Sequence, residues 1–367
     1  MNDRSGAENL KFKVPQYDSV DNALSRKGVE YFFGQETRQS KIGPLFKKTN
    51  VDRPSGLRVK RAEIYHQIHN SKNKNERSRL FKEAHEFDIL NKQLMEKKIV
   101  SIEVEGCGVQ EASYVALTAN PKEKKQLPVF LWTGISNDPE GIGWLGIIIA
   151  KMTRRQVVII GYPQGWDGNV TKEFGDAVKE KGMKPHTEFF VDSTIKIAKQ
   201  MGIEKFKLIG MSTGAALAGN AVTQNHKFAE MLDSVGLVAP AGCVNINETI
   251  AKIREAIPMM LNATHLPYLS PINVHDVEMS AEKRANMLRA HEPLAKVMLS
   301  RTEWWKGIKQ TKVKVTSIIF EGDYMTEGRK VTSELLGEEM DVKILKGSHI
   351  TPMMHPEETV RLLFEME

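Results

Sequence analysis

Residues Phe206 to Gly219, FKLIGMSTGAALAG, place one very sharp turn between a strand and a helix, and no other stretch narrows the fold of this chain as far. Phe206, Lys207, Leu208 and Ile209 read as a short buried strand, while Ala215, Ala216, Leu217 and Ala218 are strong helix formers. Between them lies Gly210-Met211-Ser212-Thr213-Gly214. A serine carried on so tight a turn needs neighbours with almost no side chain two positions to either side, because the backbone there folds back on itself. Gly210, Gly214 and Ala215 meet that demand. The same five residues also suit a plain glycine-rich turn with a surface serine, so their meaning depends on what the rest of the chain brings to Ser212.

The chain has 367 residues, 41% of them hydrophobic, which suits one α/β domain of about 270 residues plus an appendage. No apolar run approaches the roughly 20 residues of a membrane-spanning helix; Ile142 to Ala150 is short and contains Gly143 and Gly146. The opening MNDRSGAENLKFKV has no apolar segment of a secretory signal, so a cytoplasmic protein is expected. Cys107 and Cys243 supply neither a disulfide framework nor metal-ligand spacing, and neither a metal nor another cofactor is expected. The net charge of +6 is uneven, with an excess of roughly eight basic groups in residues 1–100. Clusters such as GLRVKRAE and KNKNERSRLFK make this segment a candidate for peripheral membrane contact or self-association. Solvated Lys- and Arg-rich helix faces are commoner than nucleic-acid sites, so no nucleic acid is expected as a partner.

Three regions follow from the pattern. Residues 1–98 form a basic, largely helical extension: Ser19 to Phe33 has apolar residues at helical spacing, and Glu63 to Lys97 carries Ile64, Ile68, Leu80, Phe81, Phe87, Leu90 and Leu94 on two amphipathic helices. Residues 99–244 and 312–367 alternate strands and helices. Ile99 to Glu105 and Ala112 to Ala119 predict an antiparallel pair, followed by strands at Val129–Trp132, Gln156–Gly161, Phe206–Ile209, Val235–Ala239, Lys314–Phe320 and Asp341–Leu345. Helices are predicted over Ile142–Met152, over Pro185–Met201 and from Pro356. Such alternation folds into one mainly parallel eight-stranded sheet flanked by helices, with functional residues at the carboxyl ends of the strands. Residues 245–311 break the rhythm with helical stretches such as ETIAKIREAIPMML, an insertion placed to act as a lid.

A serine hydroxyl is a poor nucleophile unless a base takes its proton, and the base needs an acid to hold its tautomer. Asp323 in IIFEGDYM follows one predicted strand and His349 in KILKGSHITPMMHP follows the last. The order Ser212, Asp323, His349 is the one this topology requires. Asp323 alone would pass as a turn aspartate, and His355 is a rival to His349, but His355 abuts Pro356 at a helix start whereas His349 lies straight off the strand. Acyl transfer also needs two N–H donors aimed at the developing oxyanion. Thr213, next after the serine, offers one, and the loop Thr133-Gly134-Ile135-Ser136 the other, from Ile135 or from Gly134.

From about Ile99 to its end the chain resembles the α/β-hydrolase superfamily, over roughly three quarters of its length. The matching pieces are TGIS at the oxyanion loop, GYPQGWDGN after the fourth strand, GMSTGA as the nucleophile elbow, EGDYM for the acid and GSHITPMMHPEETV for the histidine. Thr133 departs from the histidine that commonly precedes the oxyanion glycine in that family, and residues 1–98 match no pattern in it. The resemblance implies a serine hydrolase of carboxylic esters working through an acyl-enzyme on Ser212. A peptidase, thioesterase or acyltransferase would use the same residues, and a non-catalytic binding protein can share the fold. Methionines crowd the expected pocket: Met211, Met325, Met353 and Met354, with Met259, Met260, Met279, Met287 and Met298 in the insertion. Flexible apolar side chains of this kind suit a lipid-like acyl group, and equally suit a core.

Overall fold

The computed structural model describes residues 71–80, 96–118, 126–134, 139–162, 171–243, 302–323, 329–347, 349, 351–354 and 356–366. The predicted helices over 19–33 and 245–300, and most of the extension, lie outside these residues. Within the extension, residues 74–80 are helical and Leu80 is buried. Among the described residues no helix is long and apolar enough to cross a membrane.

Eight strands form one sheet: β1 (Lys98–Val104), β2 (Gly108–Leu117), β3 (Val129–Trp132), β4 (Val157–Ile160), β5 (Phe206–Met211), β6 (Leu232–Val238), β7 (Lys314–Phe320) and β8 (Asp341–Leu345). Their spatial order is β1-β2-β4-β3-β5-β6-β7-β8. β2 pairs antiparallel with β1 and with β4, and every other neighbouring pair is parallel. The helices that matter below are α1 (Gly143–Thr153), α2 (Lys172–Lys181), α3 (Lys184–Gln200), α4 (Thr213–Gln224) and α5 (His226–Glu230).

The central strands are apolar without alternation because both their faces are covered: all four residues of β3 and of β4 are buried. One face carries an aromatic layer in which Trp132 stacks on Phe190 of α3 and Phe228 of α5, with ring centroids 5.0 and 5.7 Å apart. A buried indole needs an acceptor, and Trp132 Nε1–H finds Oγ1 of Thr194 at 2.9 Å. The other face is aliphatic, built from Ile147, Ile148 and Ile149 of α1 against Leu131, Ile159 and Ile209. Residues 302–310, inside the interval that the sequence pattern assigns to the insertion, place Trp304, Trp305 and Ile308 in the aromatic-side core.

The predicted boundaries of β7 and β8 agree with the structure to the residue. β5 runs two residues further than its β-branched segment suggests, because Gly210 and Met211 still pair with Leu237 and Val238 of β6. The turn into α4 is therefore a single residue, Ser212.

Candidate active site

Ser212 sits between β5 and α4 at φ 55° and ψ −120°. That backbone conformation is one that side-chain-bearing residues rarely adopt, and it persists only where the surroundings hold it. Here they do. Ser212 N–H donates to the Val238 carbonyl at 2.9 Å, and its own carbonyl accepts from Ala215 N–H at 3.0 Å and from Ala241 N–H at 3.1 Å. The small residues around the turn are dictated by contact. A Cβ on Gly210 would stand 2.4 Å from the Gly214 carbonyl oxygen, and one on Gly214 would stand 2.4 Å from the Thr133 carbonyl oxygen and 2.6 Å from that of Trp132. The turn and the end of β3 thus meet backbone to backbone, which brings Thr133 and the buried Gly134 beside Ser212.

α4 explains the alanine run that follows. It is buried from Thr213 to Val222, and Ala215, Ala216, Ala218 and Gly219 let it approach the sheet on one side and Trp304 on another. Thr213 opens the helix, so its amide has no acceptor one turn earlier in the helix.

Asp323 follows β7 and His349 follows β8, and the two loops are held together by Gly322 N–H donating to the Gly347 carbonyl at 2.7 Å. Ser212, Asp323 and His349 are brought into one line. Nδ1 of His349 lies 2.9 Å from Oδ2 of Asp323, and Nε2 lies 2.9 Å from Oγ of Ser212. An ionised carboxylate can only accept, so Nδ1 carries the proton and Nε2 faces the hydroxyl as an acceptor. All three groups are nearly closed off from solvent, at 9% exposure for Ser212, 4% for Asp323 and 9% for His349. Burial, the largest single influence, pushes the imidazole down. The Asp323 charge and its hydrogen bond together outweigh it, and the His349 pKa lies above the ordinary 6.5. An imidazole so held can take a proton from Ser212 and remain a stabilised cation beside Asp323.

Of the other predicted residues, Met211 is the buried last residue of β5. Ile135 and the rival His355 lie outside the described residues, and of the methionines assigned to the pocket only Met211 has a described side chain. What the sequence pattern missed is the strap behind the serine. Ala241 donates to the Ser212 carbonyl, and Trp304 Nε1–H donates to the Ala241 carbonyl at 2.9 Å. Five tryptophans in 367 residues, two of them adjacent at 304 and 305 in an interval read as a helical insertion placed to act as a lid, were the available signal.

No protein-family model matches the chain. No curated protein matches it by sequence. Solved structures resemble it in fold. A membrane phospholipase A described as a bacterial virulence factor has a TM-score of 0.51 at 16% identity, over 78% of this chain and 90% of that one. A probable hydrolytic enzyme from Pseudomonas aeruginosa has a TM-score of 0.51 at 12% identity, over 73% and 93%. The thioesterase domain from the curacin biosynthetic pathway has a TM-score of 0.50 at 12% identity, over 73% and 99%.

Proposed function

The chain has the α/β-hydrolase fold, and on that premise we propose that it is a serine hydrolase that cleaves carboxylic esters through an acyl-enzyme on Ser212. The observation that carries the reading is the unbroken hydrogen-bonded line from Ser212 through His349 to Asp323, buried at the carboxyl edge of the sheet.

In the first half-reaction Ser212 Oγ attacks the ester carbonyl as His349 Nε2 takes its proton. Asp323 holds the ring and stabilises the imidazolium. The negative charge on the carbonyl oxygen is met by the Thr213 amide and by a second amide from the Gly134-Ile135 loop, an effect of about 3 to 4 kcal/mol per donor in a water-excluded site. His349 then protonates the leaving alcohol. In the second half-reaction the same imidazole takes a proton from water as it attacks the acyl carbon, the bond to Ser212 Oγ breaks to release the carboxylic acid, and His349 returns the proton to Oγ. Thioester hydrolysis, peptide cleavage and transfer to another alcohol use the same groups and differ only in leaving group or acceptor.

Labelling with a fluorophosphonate probe tests the reading. The expected product is a single covalent adduct on Ser212, with p-nitrophenyl ester turnover that Ser212→Ala abolishes while circular dichroism stays unchanged. Folded wild-type protein that takes no label at Ser212 would sink it. A panel of p-nitrophenyl esters of increasing chain length, beside a thioester and a peptide amide, then sorts the acyl group and the leaving group.

A further inference from the structure

Two residues that sit far from Ser212 in sequence end up holding the backbone behind it. After β6 the chain turns sharply at Ala239, φ 46°, and Gly242, φ 82°. Thr302 and Trp304 pack onto this turn from sixty and sixty-three residues further on. The Thr302 backbone N–H donates to the Gly242 carbonyl at 2.9 Å, and its hydroxyl donates to the same oxygen at 3.1 Å. Trp304 reaches the turn with its indole N–H, which donates to the Ala241 carbonyl at 2.9 Å, and lays its ring across α4, where a Cβ on Gly219 would stand 2.4 Å from Cε3. Trp304 is 4% exposed and Ala241 is 1% exposed, so neither end of that hydrogen bond has water as a substitute.

Ala241 is the point where this strap meets the site. Its carbonyl is taken by Trp304, and its N–H is given to the Ser212 carbonyl. Trp304 therefore presses on the serine turn from two directions, through Ala241 on the strand side and through Gly219 on the helix side. The turn it braces is strained: Ser212 and Ala239, both at positive φ without being glycine, end adjacent strands and are linked through the Ser212 N–H bond to Val238. Strain of this kind relaxes unless neighbouring contacts over-determine it.

Resting on the serine-hydrolase reading, we infer that Trp304 is a positioning residue: by fixing Ala241 it sets the direction of the Ser212 carbonyl, and with it the aim of Oγ toward His349 Nε2. A loss of aim by a fraction of an ångström leaves substrate binding intact and slows acylation, since reaction depends far more steeply on the approach geometry than binding does.

Trp304→Phe removes the indole N–H and keeps a ring against Gly219. Trp305→Phe is the control, because Trp305 is buried in the same core, packs edge-on against Trp304 at 5.7 Å, and has no hydrogen bond to Ala241. Three quantities are read on each variant: kcat and KM on p-nitrophenyl butyrate, the second-order rate of fluorophosphonate labelling, and the exchange rate of the Ala241 amide. The inference expects kcat and the labelling rate of Trp304→Phe to fall about tenfold with KM within about twofold, and Ala241 exchange to rise about tenfold or more, none of which occurs in Trp305→Phe. It is overturned if Trp304→Phe labels and turns over at the wild-type rate, if Trp305→Phe loses as much, or if Ala241 exchange is the same in both variants. Wild-type protein that takes no label sinks the hydrolase reading instead. Ala241 exchange then decides the inference by itself: faster in Trp304→Phe supports the brace, and unchanged overturns it.

Discussion

The two edges of the sheet both carry charged groups and backbone at positive φ, yet they use them in opposite ways. At the amino edge, a cleft of about 620 Å³ is lined by Arg155, Lys207, Asp233, Lys314, Phe364 and Glu365 among others. Four of its charges settle in two pairs in contact with water: Lys207 holds Asp233 at 2.6 Å, and Lys314 holds Glu365. The Lys207 hydrogen bond draws the Asp233 carboxyl below its ordinary range, which makes it a more committed anion and a poorer proton acceptor. At the carboxyl edge the Asp323 charge is buried, so it has to be answered by His349, and the hydroxyl of Ser212 completes the line. The backbone tells the same story. Arg154 at the amino edge has φ 56° and ψ 23°, the left-handed conformation in which many helices end. Ser212 has nearly the same φ but ψ −120°, which nothing in helix capping asks for.

The comparison can be broken most forcefully at Asp323. Asp323→Asn should lower kcat on the order of 10⁴-fold, because the amide no longer dictates the His349 tautomer. A loss under tenfold in steady-state kinetics would place the acid elsewhere. Next is Gly214→Ala, which sets a methyl against two backbone carbonyls and should cost about 3 kcal/mol in urea unfolding, with loss of activity.

The third test concerns pH. On the serine-hydrolase reading the His349 imidazole must be neutral to act as base, so kcat/KM should rise as pH passes upward through a His349 pKa that lies above about 6.5. Stability moves the other way. With the folded pKa raised, the His349–Asp323 contribution is complete below the unfolded value near 6.5 and fades as pH climbs through the folded one. In Asp323→Asn the raising influences vanish while burial remains, so the acid limb of the residual activity should move below about 6.5. An unmoved limb would assign it to another group.

A smaller effect separates strain from chemistry. Ser212→Gly and Ser212→Ala both remove the hydroxyl, and only glycine relaxes at φ 55°, so the glycine variant should be about 1 kcal/mol the more stable of the two inactive proteins. Smallest is Lys207→Met at the amino edge. Its half-exposed pair should contribute at most about 1 kcal/mol, and ester turnover should stay within about twofold of wild type.

The strands were readable where burial on both faces leaves a β-branched run, as in Lys314–Phe320, whereas the edge strand Asp341–Leu345, exposed over most of its length, was readable from Val342, Ile344 and Leu345 alone. The order of Ser212, Asp323 and His349 was readable because each lies just after a segment whose apolar residues mark a strand. α2 escaped because it shows only Phe174, Gly175, Ala177 and Val178 to the core and is otherwise charged, and its start is marked by a lone threonine cap, Thr171 to the Phe174 amide. The sharp turn was legible but its single-residue length was not, because glycine is a poor strand former by composition, yet Gly210 pairs with Leu237 in the sheet while the close approach of Gly214 leaves it no room for a Cβ. The adjacent tryptophans at 304 and 305 hinted at buried packing, but the bond from Trp304 to Ala241 was not legible, because a hydrogen bond across sixty-three residues leaves no period in the sequence.

The contact of Gly214 with the carbonyls of Trp132 and Thr133 has a consequence for how such a chain can change over time. The spacing between the serine and the loop beside it is set by main chain resting on main chain, at a point where no side chain exists to be exchanged. Side chains elsewhere around Ser212 can then be replaced without disturbing that spacing. That spacing is a property of the main chain, in a fold this protein shares with solved structures at only 12 to 16% identity.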